Sequence, residues 1–208
     1  AAQDVFHEWA QDGRDERMAS GHAQAVREIL GEALPHVGKD SFTAIDAGCG
    51  NGWVARKLKT IPGCVGVIGV DGAPGMIERA QEIDPEGKYG VVDLTAWNPD
   101  RPVDLVHSME VLYYLGDDLE ATLERIHSRW LKPGGVLAAG VDFYADNEKS
   151  LDWPDIYHMR MRALGEKEWE KALKTSGFKD VKIWRAARSD SNEAGTLAMV
   201  AVKARGEA

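Results

Sequence analysis

The feature that most limits what this chain can fold into is an alternation. Between residues 42 and 143, short apolar runs take turns with helical stripes. Phe42–Gly48, Cys64–Val70, Lys88–Val92, Val103–Met109 and Gly135–Phe143 read as strands, several of them rich in β-branched residues. Val54, Leu58 and Ile61 recur at helical spacing, as do Met76, Ile77, Ala80 and Ile83, and then Leu119, Leu123, Ile126 and Trp130. Pro62-Gly63, Asp84-Pro85 and Pro133-Gly134-Gly135 punctuate the series as stops and turns. Strand, helix and strand in succession imply a mostly parallel sheet covered on both faces.

The ends of the chain complete the plan. Trp169, Ala172 and Leu173 mark another helix, closed by Gly177. Asp180–Ala187 and Gly195–Ala204 flank a polar turn, too short for anything but antiparallel neighbours. Ahead of the first strand, Phe6 and Trp9 share a face of one short helix. Val26, Ile29, Leu30, Ala33 and Leu34 line a second, which Pro35 and Gly38 should stop. The expected division of one domain over 1–208 is helices to residue 40, a core over 41–143, an insertion over 144–165, and a helix with a hairpin over 166–208.

Composition narrows the function classes. A length of 208 residues suits one domain. The net charge of -9 repels phosphate backbones, so no nucleic-acid partner is expected. No apolar run approaches the ~20 residues that span a bilayer, and the first residues are polar and acidic, so a cytoplasmic protein is expected. Cys49 and Cys64 form no CxxC pair, so reduced thiols are expected rather than a zinc site.

Ligands of doubly wound sheets bind outside the carboxyl ends of the strands. After the first strand stands DAGCGNGW, Asp46–Trp53. Its glycines allow a tight turn and close approach of a ligand, and free N–H groups at the next helix start should face it. The spacing is GxGxG rather than the GxGxxG of dinucleotide sites, and no Gly-Lys-Ser/Thr comes after it. Asp46 would repel a pyrophosphate and suits a ligand with ammonium and sulfonium charges. After the second strand, Asp71 can accept hydrogen bonds from a ribose diol. After the third, Asp93 and Leu94 can read an adenine edge.

DAGCGNG, GVDGAPGMIERA, VVDL, MEVLYYL and LKPGGVLAAGVDFY, in this order over roughly residues 42–143, resemble the motif set of class I S-adenosylmethionine-dependent methyltransferases of the small-molecule type. The resemblance implies a doubly wound, Rossmann-like α/β fold. Its sheet would have seven strands, mostly parallel with the last antiparallel, helices on both faces and an N-terminal helical lid. It implies S-adenosyl-L-methionine as cofactor and S-adenosyl-L-homocysteine as product. Asp46, Gly48, Cys49 and Gly50 would approach the methionine moiety, and Asp71 would hold the ribose. Gly72 and Met76 would pack near ribose and adenine, Asp93 and Leu94 at the adenine edge, and Met109 beside the cofactor. Trp9 and Arg14 in the lid would lie near the cofactor carboxylate.

The acceptor side is read from the residues just past the fourth and fifth strands. Glu110, Asp142 and His107 are the candidates for acid–base chemistry, His107 otherwise being a core residue and Glu110 a helix-start carboxylate. Tyr144, Trp153, Tyr157 and His158 are the candidates for substrate contact, in a long aromatic-rich connection. The fourth strand is not succeeded by an Asn-Pro-Pro-Tyr sequence, which argues against adenine or glutamine as acceptor. No metal cluster is assigned. The expectation is methyl transfer by in-line displacement to N or O of a small molecule, by a monomer or homodimer. The rival readings are a nicotinamide-dinucleotide oxidoreductase and a non-catalytic S-adenosylmethionine-binding module.

Overall fold

A computed structural model describes residues 14–38 and 40–206. Seven strands form one sheet: β1 (Phe42–Ala47), β2 (Cys64–Asp71), β3 (Lys88–Val91), β4 (Val103–Met109), β5 (Leu131–Val141), β6 (Asp180–Ala186) and β7 (Thr196–Val202). Their order across the sheet is β3-β2-β1-β4-β5-β7-β6. The first five run parallel, and β7 pairs antiparallel with both β5 and β6. The order reverses between β1 and β4, where a doubly wound sheet opens its ligand crevice.

The helices are α1 (Arg14–Val37), α2 (Trp53–Lys59), α3 (Pro74–Ile83), α4 (Leu119–Arg125), α5 (Trp153–Ile156) and α6 (Glu166–Thr175). A 3-10 segment, Leu112–Asp118, precedes α4, and a π turn, Ile126–Trp130, extends it. Neighbouring residues on a strand enter different cores. Ala44, Leu105, Val136 and Ala138 pack with Val26, Ile29, Leu30, Val54 and Leu58 of α1 and α2. Ile45, Val106, Leu137 and Ala139 pack with Leu119, Leu123, Trp130 and Trp169 on the other side. Burial on both faces is why these strands read as continuous apolar runs.

Three local expectations change. The second N-terminal helix does not stop at Pro35. It continues to Val37, which is buried, and ends at Gly38 with φ 53. Packing of its apolar stripe against β5 and β7 outweighs the local stop signal. Pro133-Gly134-Gly135 is not a turn before the fifth strand but lies inside β5. The pairing register there jumps from Val103↔Leu131 to Leu105↔Val136, so the extra residues form a bulge. Ile83 closes α3 at 40% exposure instead of joining its buried stripe.

Candidate active site

A cleft opens at the carboxyl ends of β1, β2 and β4. It holds about 1150 Å³ of space, its open mouth included, which is ample for a nucleoside-sized ligand.

The loop after β1 owes its shape to its glycines. Gly48 has φ 73, and a Cβ there would lie 2.1 Å from a Val111 methyl, so no larger residue fits. Gly50 has φ 52 but open space around its Cα, and it lines the cleft. Gly48 N–H and Cys49 N–H both donate to Val70 O, which pins the loop to the end of β2. Asp71 secures it from the other side. Its Oδ2 accepts from Gly50 N–H at 2.9 Å and its Oδ1 from Ala73 N–H at 2.8 Å. Burial raises the Asp71 carboxyl above its usual range, and backbone donors from Ala73, Gly50 and Gly72 work against that. Each Asp71 oxygen retains a lone pair for a hydroxyl donor. Asp71 does not cap the next helix, whose N-cap is Ala73.

Asp93 turns back on its own chain. Its Oδ1 accepts from Thr95 Oγ1 at 2.7 Å and Thr95 N–H at 2.9 Å, and the Thr95 hydroxyl bond leads in lowering its pKa. Asp93 lines the cleft with Val92, Leu94, Gly72 and Met76. Burial, then the nearby Asp46 and Asp71, raise the Cys49 thiol, which keeps it protonated on the cleft wall.

Asp46 and His107 are paired residues on adjacent strands, β1 and β4. His107 Nδ1 lies 2.7 Å from Asp46 Oδ1, and both side chains are sealed from solvent at 0% and 2% exposure. Asp46 Oδ2 and His107 Nε2 have no hydrogen-bond partner among the described residues, and both residues line the cleft.

A second polar group gathers at the ends of β4 and β5. Glu110 has φ 59, a left-handed conformation that is strained for a residue with a side chain. Its carboxyl accepts from Asp142 N–H at 2.5 Å and from the Tyr113 hydroxyl at 3.0 Å. Burial, then the charge of Asp142, push its pKa up to about 8. Asp142 Oδ1 accepts from Thr196 Oγ1 at 2.6 Å, and its Oδ2 lies 3.1 Å from His22 Nε2 on α1. His22 and Glu110 line the cleft with Met109 and Tyr114. The ligating atoms of His22, Glu110 and Asp142 fall within 4.8 Å of one another, and hydrogen bonds link them into a network.

A family model described as a methyltransferase domain matches residues 11–183. The chain belongs to the class I S-adenosylmethionine-dependent methyltransferases. Among curated relatives, trans-aconitate 2-methyltransferase of Rhizobium etli is 37% identical over 155 residues, covering 74% of this chain and 56% of the relative. That of Azoarcus sp. is 34% identical over 122 residues, covering 59% and 46%. The chain thus spans about half the length of the curated relatives it matches. A chain of the complex between the Haloferax volcanii Trm112 methyltransferase activator and a methyltransferase superposes with TM-score 0.83 at 28% identity, covering 96% of this chain and 97% of that one. The DhpI–SAH complex gives 0.69 at 20% identity, covering 97% and 95%, a likeness of fold.

The cofactor of this methyltransferase is S-adenosylmethionine, and the cleft fits it. Asp71 has lone pairs for a ribose diol, and Gly50 leaves room for close approach. The GxGxG loop is therefore not a dinucleotide site, and the oxidoreductase reading falls.

The structure brings together Asp46, Gly48, Cys49, Gly50, Asp71, Gly72, Met76, Asp93, Leu94, His107, Met109 and Glu110 as cleft lining. Asp142 stands one contact back, behind His22. Trp9 lies outside the described residues, and Arg14 is the first residue of α1. None of the four candidates in the aromatic connection is among the residues that line this cleft, and substrate contact by them stays a proposal. Tyr144 is fully buried, with its hydroxyl on Ala194 O, Gly195 O and Arg185. Trp153 stacks on Phe143 and meets Tyr157 edge-on. His158 comes next in the same segment with φ 51. Trp153 thereby extends the core over the face of Phe143, whereas His158 is exposed. Sequence reasoning misses His22, since nothing local to it announces a partner at the end of β5.

Proposed function

We propose that this methyltransferase moves the methyl group of S-adenosylmethionine to a nitrogen or oxygen of a small, neutral or cationic acceptor, with amines and phenols as the preferred classes. The observation that carries the reading is the network of His22, Asp142 and Glu110 on the cleft wall. A histidine held by a carboxylate can take the proton an amine or phenol must lose. Asp142 orients that ring and is itself held by Thr196. Glu110, with its pKa near 8, is largely neutral at pH 7, so Asp142 supplies the negative charge. When bound, the cofactor supplies a methyl group activated by its sulfonium. The chain's own residues align the two partners and exclude water.

Relatives of this chain are named trans-aconitate 2-methyltransferases. The described lining residues include no lysine or arginine, which disfavours a polycarboxylate. The test is an S-adenosylhomocysteine-release assay on a panel of amines, phenols and carboxylates, trans-aconitate included. It is run with and without an activator of the Trm112 type, because the Haloferax volcanii neighbour is a complex with one. Turnover of an amine or phenol is expected, with Asp142→Asn lowering kcat/KM about 100-fold and leaving S-adenosylhomocysteine affinity unchanged. Turnover of trans-aconitate alone, or an unchanged kcat/KM in Asp142→Asn, would overturn the reading.

A further inference from the structure

We infer that Tyr114 selects the methyl acceptor by giving a hydrogen bond to an acceptor oxygen, as of a phenol, and that buried Glu110 fixes this sense through Tyr113. This deepens the reading of function above and rests on it. The buried Tyr113 hydroxyl has two oxygens within reach, Glu110 Oε2 at 3.0 Å and the Tyr114 hydroxyl at 3.4 Å. It carries one hydrogen, so it gives to one of them and takes from the other. The sense of the first bond therefore sets the sense of the second. The chain ends at Tyr114, a half-buried residue of the cleft wall.

Glu110 decides which way the chain runs. Its Oε1 accepts from Asp142 N–H at 2.5 Å, so a proton on this carboxyl belongs on Oε2, facing Tyr113. A neutral Glu110 gives that proton to Tyr113, Tyr113 gives its own to Tyr114, and the Tyr114 hydrogen is directed away from Tyr113. An ionised Glu110 reverses both bonds. The titratable groups that face the chain, among the described residues, are Asp142 from the end of β5, His22 from α1 and Tyr157 from the end of α5. Burial beside the Asp142 carboxylate favours a neutral Glu110 at pH 7, and burial keeps both tyrosines protonated. Tyr114 is thus a donor. A neutral amine nitrogen has one lone pair, which must attack the methyl group, so it cannot take this hydrogen as well. A phenol oxygen has two lone pairs, one for each task.

The experiment has two arms, both on the whole chain. In the first, tyrosine labelled with carbon-13 at Cζ is followed by NMR against pH, without ligand. The Tyr114 signal, identified by its loss in Tyr114→Phe, should move in one step near pH 8. The step should vanish in Glu110→Gln, whose amide nitrogen faces Tyr113 and gives to it at every pH. It should vanish too in Tyr113→Phe, which keeps the Glu110 charge and breaks the chain. In the second arm, S-adenosylhomocysteine release is compared for phenol and aniline pairs built on the same ring. Tyr114→Phe should lower the phenol-to-aniline ratio of kcat/KM about tenfold, through the phenol KM, and leave S-adenosylhomocysteine affinity within about twofold.

A step that survived in Tyr113→Phe would be the bare field of the Glu110 charge and would overturn the inference. So would an unchanged phenol-to-aniline ratio in Tyr114→Phe, or an equal loss on both members of each pair. In these cases turnover leaves the reading of function standing. If neither phenols nor amines turned over in the unmodified chain, that reading and the inference would fall together.

Discussion

The two sides of the cleft are built in different ways. On the donor side, each carboxylate holds a loop after its own strand or the adjacent one. Asp71 holds Gly50 and Ala73, and Asp93 holds Thr95. On the acceptor side, one network draws on α1, the end of β4, the end of β5 and the start of β7, through His22, Glu110, Asp142 and Thr196. The donor side is built from the ends of neighbouring strands and the loops that leave them. The acceptor side exists only because four remote segments meet. A cofactor common to a family can be served by local loops, whereas an acceptor peculiar to one member is served by whatever the topology brings near.

The largest expected effect tests the donor side. Asp71→Ala removes the proposed ribose acceptor and releases two backbone donors, so S-adenosylhomocysteine affinity should fall about 100-fold or more by calorimetry. A loss under about threefold would break the claim that this carboxylate organises the donor side.

Next comes a place where the two sides touch. In Gly48→Ala the new methyl would meet Val111 at 2.1 Å, on top of a positive φ, and should cost about 2–4 kcal/mol in denaturant unfolding. Adding Val111→Ala should return the steric share and leave the backbone share of roughly 1–2 kcal/mol. If the double variant recovered nothing, the contact between the β1 loop and the segment after β4 would not be what limits this position.

The acceptor side is probed by pH. The Glu110 pKa rises from 4.5 to about 8 on folding, chiefly through burial. The folded state therefore binds the extra proton. Its contribution is fully present below about pH 4.5 and is lost as pH climbs to about 8, on the order of 4 kcal/mol over that window. Glu110→Gln does not titrate. Its Tm should therefore gain steadily on the unmodified chain between about pH 5 and about pH 8. A constant difference across that range would mean that Glu110 is ionised throughout.

The smallest effect concerns the aromatic connection. Trp153→Ala should lower stability by about 1–2 kcal/mol through its lost packing on Phe143 and leave the acceptor KM unchanged. A large rise in KM with stability preserved would return this segment to the substrate side.

Legibility divides along the same line. Strands buried on both faces announce themselves as apolar runs, and the carboxylates at their ends lie close to the glycine loops they serve. The errors fall where long-range packing overrides a local signal. Pro35 fails to end α1 because the buried stripe continues to Val37. Pro133-Gly134-Gly135 becomes a bulge because pairing with β4 resumes on either side of it. Tyr144 looks like a pocket residue because it lies just past a strand end, yet its hydroxyl is satisfied by the turn before β7.

By itself, the sequence determined the sheet's composition, the glycine loop and the carboxylates that line the cleft, because period, turn chemistry and motif spacing are local properties of the chain. Only the tertiary structure decided that His107 faces Asp46 across two strands and that His22 reaches Asp142. Those partners are 61 and 120 residues apart in the chain, and what brings them together is the parallel register of β1 with β4 and the packing of α1 over β5.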